Sequence, residues 1–162
     1  MYTIVLLTEG AVLEHDAARL AQLHEGDDVV VQVVVPVESD HRRVLEAIDE
    51  ALLGRLREAA RDTAGPGEPH PKDARLAALH ALAESKVRLQ DAGLGTAEGE
   101  VASDPVAATV AAVKRFHGDE VVVITPPHLV EEALHRDWAS KLRSRLDLPV
   151  LHTTAGTDRV IS

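Results

Sequence analysis

The chain has 162 residues, contains no cysteine, and has only one Tyr, one Phe and one Trp. The absence of cysteine excludes disulfides, thiolate metal ligands and cysteine nucleophiles. The scarcity of aromatic residues leaves little surface on which bases could stack. The interior must therefore be built from aliphatic side chains, and we expect neither a disulfide-stabilised module nor a protein that binds nucleic acid by stacking.

Positive charge and long apolar runs are also scarce. Seventeen Lys and Arg oppose 27 Asp and Glu, which gives a net charge of −10 that repels phosphate backbones and anionic membranes. The longest apolar run, residues 29–37, is interrupted by Gln32 and is far shorter than the roughly 20 residues of a membrane helix. The apolar start, residues 2–7, lacks the basic region of a signal sequence. We expect a cytoplasmic protein without a nucleic-acid or membrane partner.

Short β-branched runs alternate with segments of helical period, which is typical of βα units wound around a parallel sheet. Strands are predicted at residues 3–8, 29–37, 95–102, 121–125 and 150–153. Three of them are almost continuously apolar, as strands covered by helices on both faces should be. The third alternates imperfectly, which favours a place at the sheet edge. The prediction is one α/β domain over residues 1–162, with three α/β/α layers of the flavodoxin or Rossmann-like type.

The helical segments carry apolar stripes that predict their inner faces. The first helix, within residues 11–24, should bury Leu13, Ala17, Leu20 and Leu23. The second crossover, residues 41–92, should contain two helices joined by a hinge at 63–72, the second burying Leu76, Leu79, Ala83 and Val87. Asp104-Pro105 predicts the start of the next helix, and Trp138 should pack in the core from the last one.

Ligands of an open parallel sheet bind beyond the carboxyl ends of its strands, here the loops at residues 8–10, 36–38 and 125–128. None of them carries a glycine-rich dinucleotide or P-loop motif. The nine histidines are scattered, so we expect them on the surface, and the pair His128 and His135 has no evident third ligand. No serine lies at a nucleophile elbow, and the paired carboxylates lie at strand or helix edges. The sequence predicts no enzyme and no metal site.

Several segments, in their order, resemble the universal stress protein family. They are Glu9-Gly10, residues 93–101 (GLGTAEGEV), Asp104-Pro105, residues 118–123 (GDEVVV) and residues 148–150 (LPV). The resemblance covers nearly the whole chain. More narrowly, residues 124–128 (ITPPH), a Trp-bearing helix and residues 146–152 (LDLPVLH) are similar to stress-protein-like domains appended to some actinobacterial amino-acid permeases.

The resemblance implies a five-stranded sheet in the order 3-2-1-4-5, frequent dimers and, in one subclass, ATP held by a glycine-rich motif after strand four. This chain is a variant without that motif, because residues 125–128 (TPPH) stand where its first glycines should be. Pro126 and Pro127 have no amide to donate to phosphate. Glu131 and Glu132 would place negative charge at the start of the next helix, where an anion would otherwise bind. We therefore expect no tight ATP binding.

The resemblance still implies which residues would touch an adenine nucleotide. They are Glu9, Gly10, Val35 or Val37, Thr125 and His128, with Arg136 as a further phosphate ligand. Each also has an ordinary structural role, in a turn, in packing or in a helix cap. Two functions stay open: a non-catalytic stress-like protein that dimerises through its last strand and binds a protein partner or small ligand, or a nucleotide sensor with a changed phosphate loop.

Overall fold

The computed structural model describes residues 1–37, 71–127 and 132–160. Its elements are β1 (Tyr2–Thr8), α1 (Glu14–Leu23), β2 (Val29–Pro36), α2 (Pro71–Asp91), β3 (Gly95–Thr96), β4 (Glu100–Ala102), α3 (Pro105–Phe116), β5 (Glu120–Thr125), α4 (Glu132–Arg145) and β6 (Val150–Thr154). The strands form one parallel sheet in the order β3-β2-β1-β5-β6, with β4 also paired to β2. The predicted architecture and order are confirmed, except that the third strand is divided in two.

The division of the third strand has a local cause. Both pieces pair with β2, Gly95 opposite Val30 and Glu100 opposite Val34. Between them the chain approaches α2 so closely that a side chain at Gly99 would overlap Leu82. The helix therefore interrupts the ladder at the sheet edge, where the imperfect alternation of the sequence placed this strand.

The core has two layers, one on each face of the sheet. The first face, which includes Ile4, Leu6 and Val33, is covered by α1 and α2. The second face, which includes Val5 and Val123, is covered by α3 and α4. Because successive strand residues point to opposite faces, a continuous apolar run supplies both layers. The prediction of doubly covered central strands is confirmed.

Helix α3 begins where predicted, and Trp138 of α4 packs as predicted. The Asp104 carboxylate accepts a hydrogen bond from the Ala107 amide at 3.0 Å, and Pro105 occupies the first turn. Trp138 of α4 is half-buried and packs with the fully buried Leu142 against the second face.

The predicted inner face of α2 is wrong. Its members are exposed, Leu76 to 54%, Leu79 to 43% and Val87 to 55%, and so is Ala83. The buried residues are instead Ala78, Ser85 and Leu89. This helix carries Ala and Leu on more than one stripe, so the apolar pattern does not select one face. The hydrogen bond from the Val12 amide to the Ser85 hydroxyl does select it.

The prediction for α1 holds for two residues of four. Ala17 and Leu20 are buried, whereas Leu13 and Leu23 are largely exposed. Asp16, adjacent to Ala17, is buried in their place. Its carboxylate has partners in the C-terminal residues, which the periodicity of α1 does not reveal.

The first helix of the second crossover and the hinge up to residue 70 lie outside the described residues. In the part of the chain that the structure describes, no helix has both the length and the apolar character needed to cross a bilayer.

Candidate functional site

The candidate site is the crevice at the carboxyl ends of the central strands. β1 pairs with β2 on one side and with β5 on the other, so the order of strands reverses at β1. Parallel α/β sheets bind ligands at such a switch point. The structure brings residues 8–10, 36–37 and 125–127 of the predicted loops to this edge.

The loop after β1 turns tightly across the end of β5. The buried Thr8 hydroxyl donates to the Gly10 carbonyl at 2.8 Å, and the Glu9 amide donates to the Ile124 carbonyl at 3.4 Å. Gly10 is exposed. Its φ is not positive, and a Cβ there would meet nothing within 4 Å. Neither conformation nor space therefore requires glycine at this position.

Helix α2 fixes the next part of the same loop. The Val12 amide donates to the Ser85 hydroxyl at 2.9 Å, and the Arg88 guanidinium donates to the Val12 carbonyl at 2.5 Å. The Ser85 hydroxyl in turn donates to the Ala81 carbonyl at 2.6 Å. Sequence reasoning missed this contact, because Ser85 lies between the charged residues Glu84 and Lys86 and its partner is 73 residues away. The path of the loop thus depends on α2.

The two valines proposed for the base lie in different places. Val35 is fully buried in the core layer of the first face. Val37 is half-buried at the end of β2, where its amide donates to the Ala102 carbonyl at 2.8 Å. Of the two, Val37 is the one at the crevice.

Thr125, at the end of β5, is turned into the protein. Its hydroxyl lies 3.0 Å from Nε2 of His152, and both residues are buried. Its carbonyl accepts from the Ala155 amide at 2.8 Å. The expectation of surface histidines is wrong for His152, because a buried hydroxyl on the neighbouring strand meets its ring. His128 lies outside the described residues, and Arg136 belongs to α4 without a described side chain.

The chain beyond β6, residues 155–160, is bound to α1 and is called the tail turn below. The two Asp16 carboxylate oxygens accept from the Gly156 amide at 2.9 and 3.1 Å, and Arg19 donates to the Thr157 carbonyl at 2.9 Å. Asp158 lies 3.2 Å from His15 and 3.6 Å from Arg19. Burial raises the pKa of Asp16, and the Gly156 amide and the nearby His15 and Arg19 oppose that rise.

A second titratable group lies at the opposite, amino-terminal edge of the sheet. Nε2 of His24 is 3.2 Å from the Glu120 carboxylate, with side chains only 12% and 13% exposed. The Tyr2 ring lies 5.1 Å from the His24 ring. Burial raises the pKa of Glu120, opposed by His24, and burial also raises the pKa of Tyr2, reinforced by Glu120. These contacts join the end of α1 to β1 and β5.

The described residues contain no group of three side chains that would hold a metal.

Among residues 1–37, 71–127 and 132–160, the crevice offers few groups that would bind an anion. Backbone amides are the donors that cradle phosphate. At this edge the amides of Glu9, Val12, Val37, Ala155 and Gly156 already donate to acceptors within the protein. The geometry therefore defines an α/β sheet with a switch-point crevice, where these five amides donate to acceptors within the protein.

Comparisons with known proteins place this architecture. No family model matches the sequence, and no curated protein does. A solved structure of the hypothetical protein MJ0577 is similar over 96% of this chain and 97% of that one, with a TM-score of 0.54 and 14% identity. A universal stress protein family protein from Arabidopsis thaliana with AMP bound covers 96% of this chain and 94% of its own, with a TM-score of 0.47 and 15% identity. The chain has the fold of MJ0577.

Proposed function

We propose that this chain is a non-catalytic, cytoplasmic universal-stress-like protein that binds a protein partner or small ligand without tight ATP binding. The motifs that resemble the stress protein family and the strand order that this resemblance implies support the class. The committed amides of the crevice carry the claim about ATP. A homodimer through β6 belongs to the same proposal, as does the narrower resemblance to permease-appended domains.

The residues after β5 support the proposal that phosphate is not bound tightly. Pro126 and Pro127 lack the amide hydrogen that a phosphate loop needs. The Thr125 hydroxyl, which could otherwise contact a phosphate, is buried against His152. The two amides after β6 donate to Thr125 and Asp16. A triphosphate entering from this side would meet few donors among the residues that the structure describes. The net charge of −10 would also repel it.

A thermal-shift titration with ATP, ADP, AMP and cyclic AMP, with and without magnesium, tests the proposal. A ligand at 100 times its Kd adds about 2.7 kcal/mol, which for a domain of this size raises the Tm by roughly 5 to 10 °C. We expect no selective shift at about 1 mM nucleotide, a concentration at which a Kd of about 10 μM would give that full rise.

A saturable, nucleotide-selective rise in Tm would overturn the proposal in favour of the nucleotide sensor. In that case the variants His128→Ala and Arg136→Ala should each abolish the rise, because they remove the candidate phosphate ligands. The variant Arg115→Ala is the matched control, since it removes an exposed arginine near the end of α3, which precedes the amino end of β5 and so lies at the opposite edge of the sheet from these loops.

A further inference from the structure

β6 is an edge strand, because in the described sheet it pairs with β5 alone. The Ala155 amide donates to Thr125 and the Val121 amide donates to Pro149, so the odd-numbered positions of this segment direct their backbone groups toward β5. Positions 150, 152 and 154 direct theirs outward, since backbone direction alternates along a strand. Outward groups of an edge strand are a template for another strand.

The chain itself covers this outer edge. At its start, Arg143 donates to the Val150 carbonyl at 3.3 Å. At its end, the Thr154 amide donates to the Arg159 carbonyl at 3.3 Å, and Thr153 forms an antiparallel bridge with Val160. The tail turn thus lies along the carboxyl half of β6 in the direction opposite to it.

A strand from a second copy of the chain would run in the same direction along β6 as the tail turn does. A two-fold axis that brings β6 against β6 of another copy makes the two strands antiparallel. The tail turn therefore occupies backbone groups that such a partner strand would use. Both cannot pair with the same half of β6 at once.

The tail turn is held in place from α1. The buried Asp16 carboxylate accepts the Gly156 amide, and Arg19 donates to the Thr157 carbonyl. Gly156 has a φ of +68°, and a Cβ there would lie 3.2 Å from Leu13. The attachment is thus specific, because it needs a side-chain oxygen acceptor at position 16 and a residue that tolerates a positive φ at position 156.

We infer that the tail turn is an intramolecular lock on the outer edge of β6, and that its release from Asp16 permits pairing of β6 with a second copy of this chain. The inference rests on the dimer of the proposed function and adds the condition under which that dimer forms. The Asp16–Gly156 contact is the latch of this lock.

Two variants release the lock from opposite sides. Asp16→Ala removes the acceptor on α1, and Gly156→Val introduces a β-branched residue at a positive φ without altering α1. Asp16→Asn is the matched control for the first, because its side-chain oxygen can still accept the Gly156 amide. Gly26→Val is the control for the second, because Gly26 also has a positive φ, +97°, but meets nothing within 4 Å and lies before β2.

The rate of amide hydrogen exchange at residues 154 and 156 measures whether the tail turn is bound, and light scattering measures the mass of the particle. At concentrations low enough to keep Asp16→Ala and Gly156→Val monomeric, we expect exchange at the amides of residues 154 and 156 to rise by about tenfold or more. Residue 156 loses a hydrogen bond to a charged acceptor, and the tail turn no longer covers Thr154. The same variants should form dimers at concentrations where the natural chain and both controls scatter as monomers of 17.4 kDa. Adding Val150→Pro should return them to monomers, since proline removes an outward amide and is tolerated at a strand edge.

Two results would overturn the lock. Variants that show fast exchange at Thr154 and Gly156 yet remain monomers would show that the uncovered edge does not pair. A natural chain that is dimeric while these amides stay protected would show that the dimer forms without release. Neither result touches the ligand proposal, which the nucleotide titration tests separately.

Discussion

Asp16 shows how one buried polar residue acquires its role from a distant part of the chain. It follows two exposed polar residues in α1 and precedes the buried Ala17, so its spacing predicts nothing unusual. Its burial is compensated by the Gly156 amide, 140 residues away. His152 is a similar case, because its buried ring meets the hydroxyl of Thr125 on the adjacent strand. The core positions of aliphatic residues in the strands could be predicted, but these polar ones could not, since their partners are tertiary.

The titration of Asp16 makes stability depend on pH. Burial raises its pKa in the folded state, so its contribution to the free energy of unfolding is fully present below the ordinary aspartate value of about 3.9. That contribution is lost as the pH rises through the raised pKa. As the pH rises from about 3.9 through the raised pKa of Asp16, the unfolding free energy of the natural chain should therefore fall relative to that of Asp16→Asn.

Urea unfolding at a series of pH values measures that difference. Glu120, whose pKa is also raised by burial, is present in both proteins, so its effect cancels. A difference that stays constant, or that moves in favour of the natural chain as the pH rises, would contradict the assignment.

Two glycines at the residue scale should respond oppositely to alanine. A Cβ at Gly95 would lie 2.9 Å from the Val29 carbonyl oxygen, so Gly95→Ala should destabilise by about 1 to 3 kcal/mol through overpacking. Gly10→Ala should leave stability unchanged or raise it by up to about 1 kcal/mol, because it only restricts the unfolded chain. Equal losses in chemical unfolding would show that Gly10 has a constraint beyond its local space.

At the scale of elements, the strands were predictable and the helix faces only partly so. A strand buried on both faces is a continuous apolar run, which leaves no choice of face to be made. α3 has a clear N-terminal cap at Asp104, and its predicted start is confirmed. α2 has Ala and Leu on several sides, and its orientation is set by the hydrogen bonds of Ser85 and Arg88 with the Val12 backbone.

Removal of the hydrogen bond between Ser85 and the Val12 amide should lower the stability of the protein. In Ser85→Ala the buried Val12 amide loses its acceptor, which should cost about 1 to 3 kcal/mol and lower the Tm by about 2 to 4 °C per kcal/mol. Ser144→Ala is the control, because that hydroxyl donates to the Lys141 carbonyl in an exposed turn of α4. Similar Tm values for the two variants would rule out an anchoring role for Ser85.

At the scale of the whole molecule, the fold class followed from the alternation of apolar runs and helical segments, whereas the strand order was implied by the resemblance to the universal stress protein family. The candidate site followed only in part. The sequence places the loops at the switch point, because carboxyl ends of parallel strands meet there. It does not show that the crevice amides are already bonded, since Val12 and Gly156 find their acceptors in side chains of α2 and α1.

The net charge of −10 should govern association of the released chain. Two copies repel each other, and the Debye length falls from about 30 Å at 0.01 M salt to about 8 Å at 0.15 M. The dimer of Asp16→Ala should therefore tighten several-fold over this range of salt, as measured by sedimentation equilibrium. Weakening with added salt would indicate attraction between opposite charges across the interface instead.

The position of Trp138 gives the protein an optical asymmetry. It is the chain's sole tryptophan and packs from α4 against the second face of the sheet. Indole emission therefore originates on the side opposite to α1 and α2. Tyr2, the sole tyrosine, lies against His24 at the end of α1. Excitation at the red edge of the protein absorption band, where only tryptophan absorbs, would therefore follow the loosening of the layer formed by α3 and α4.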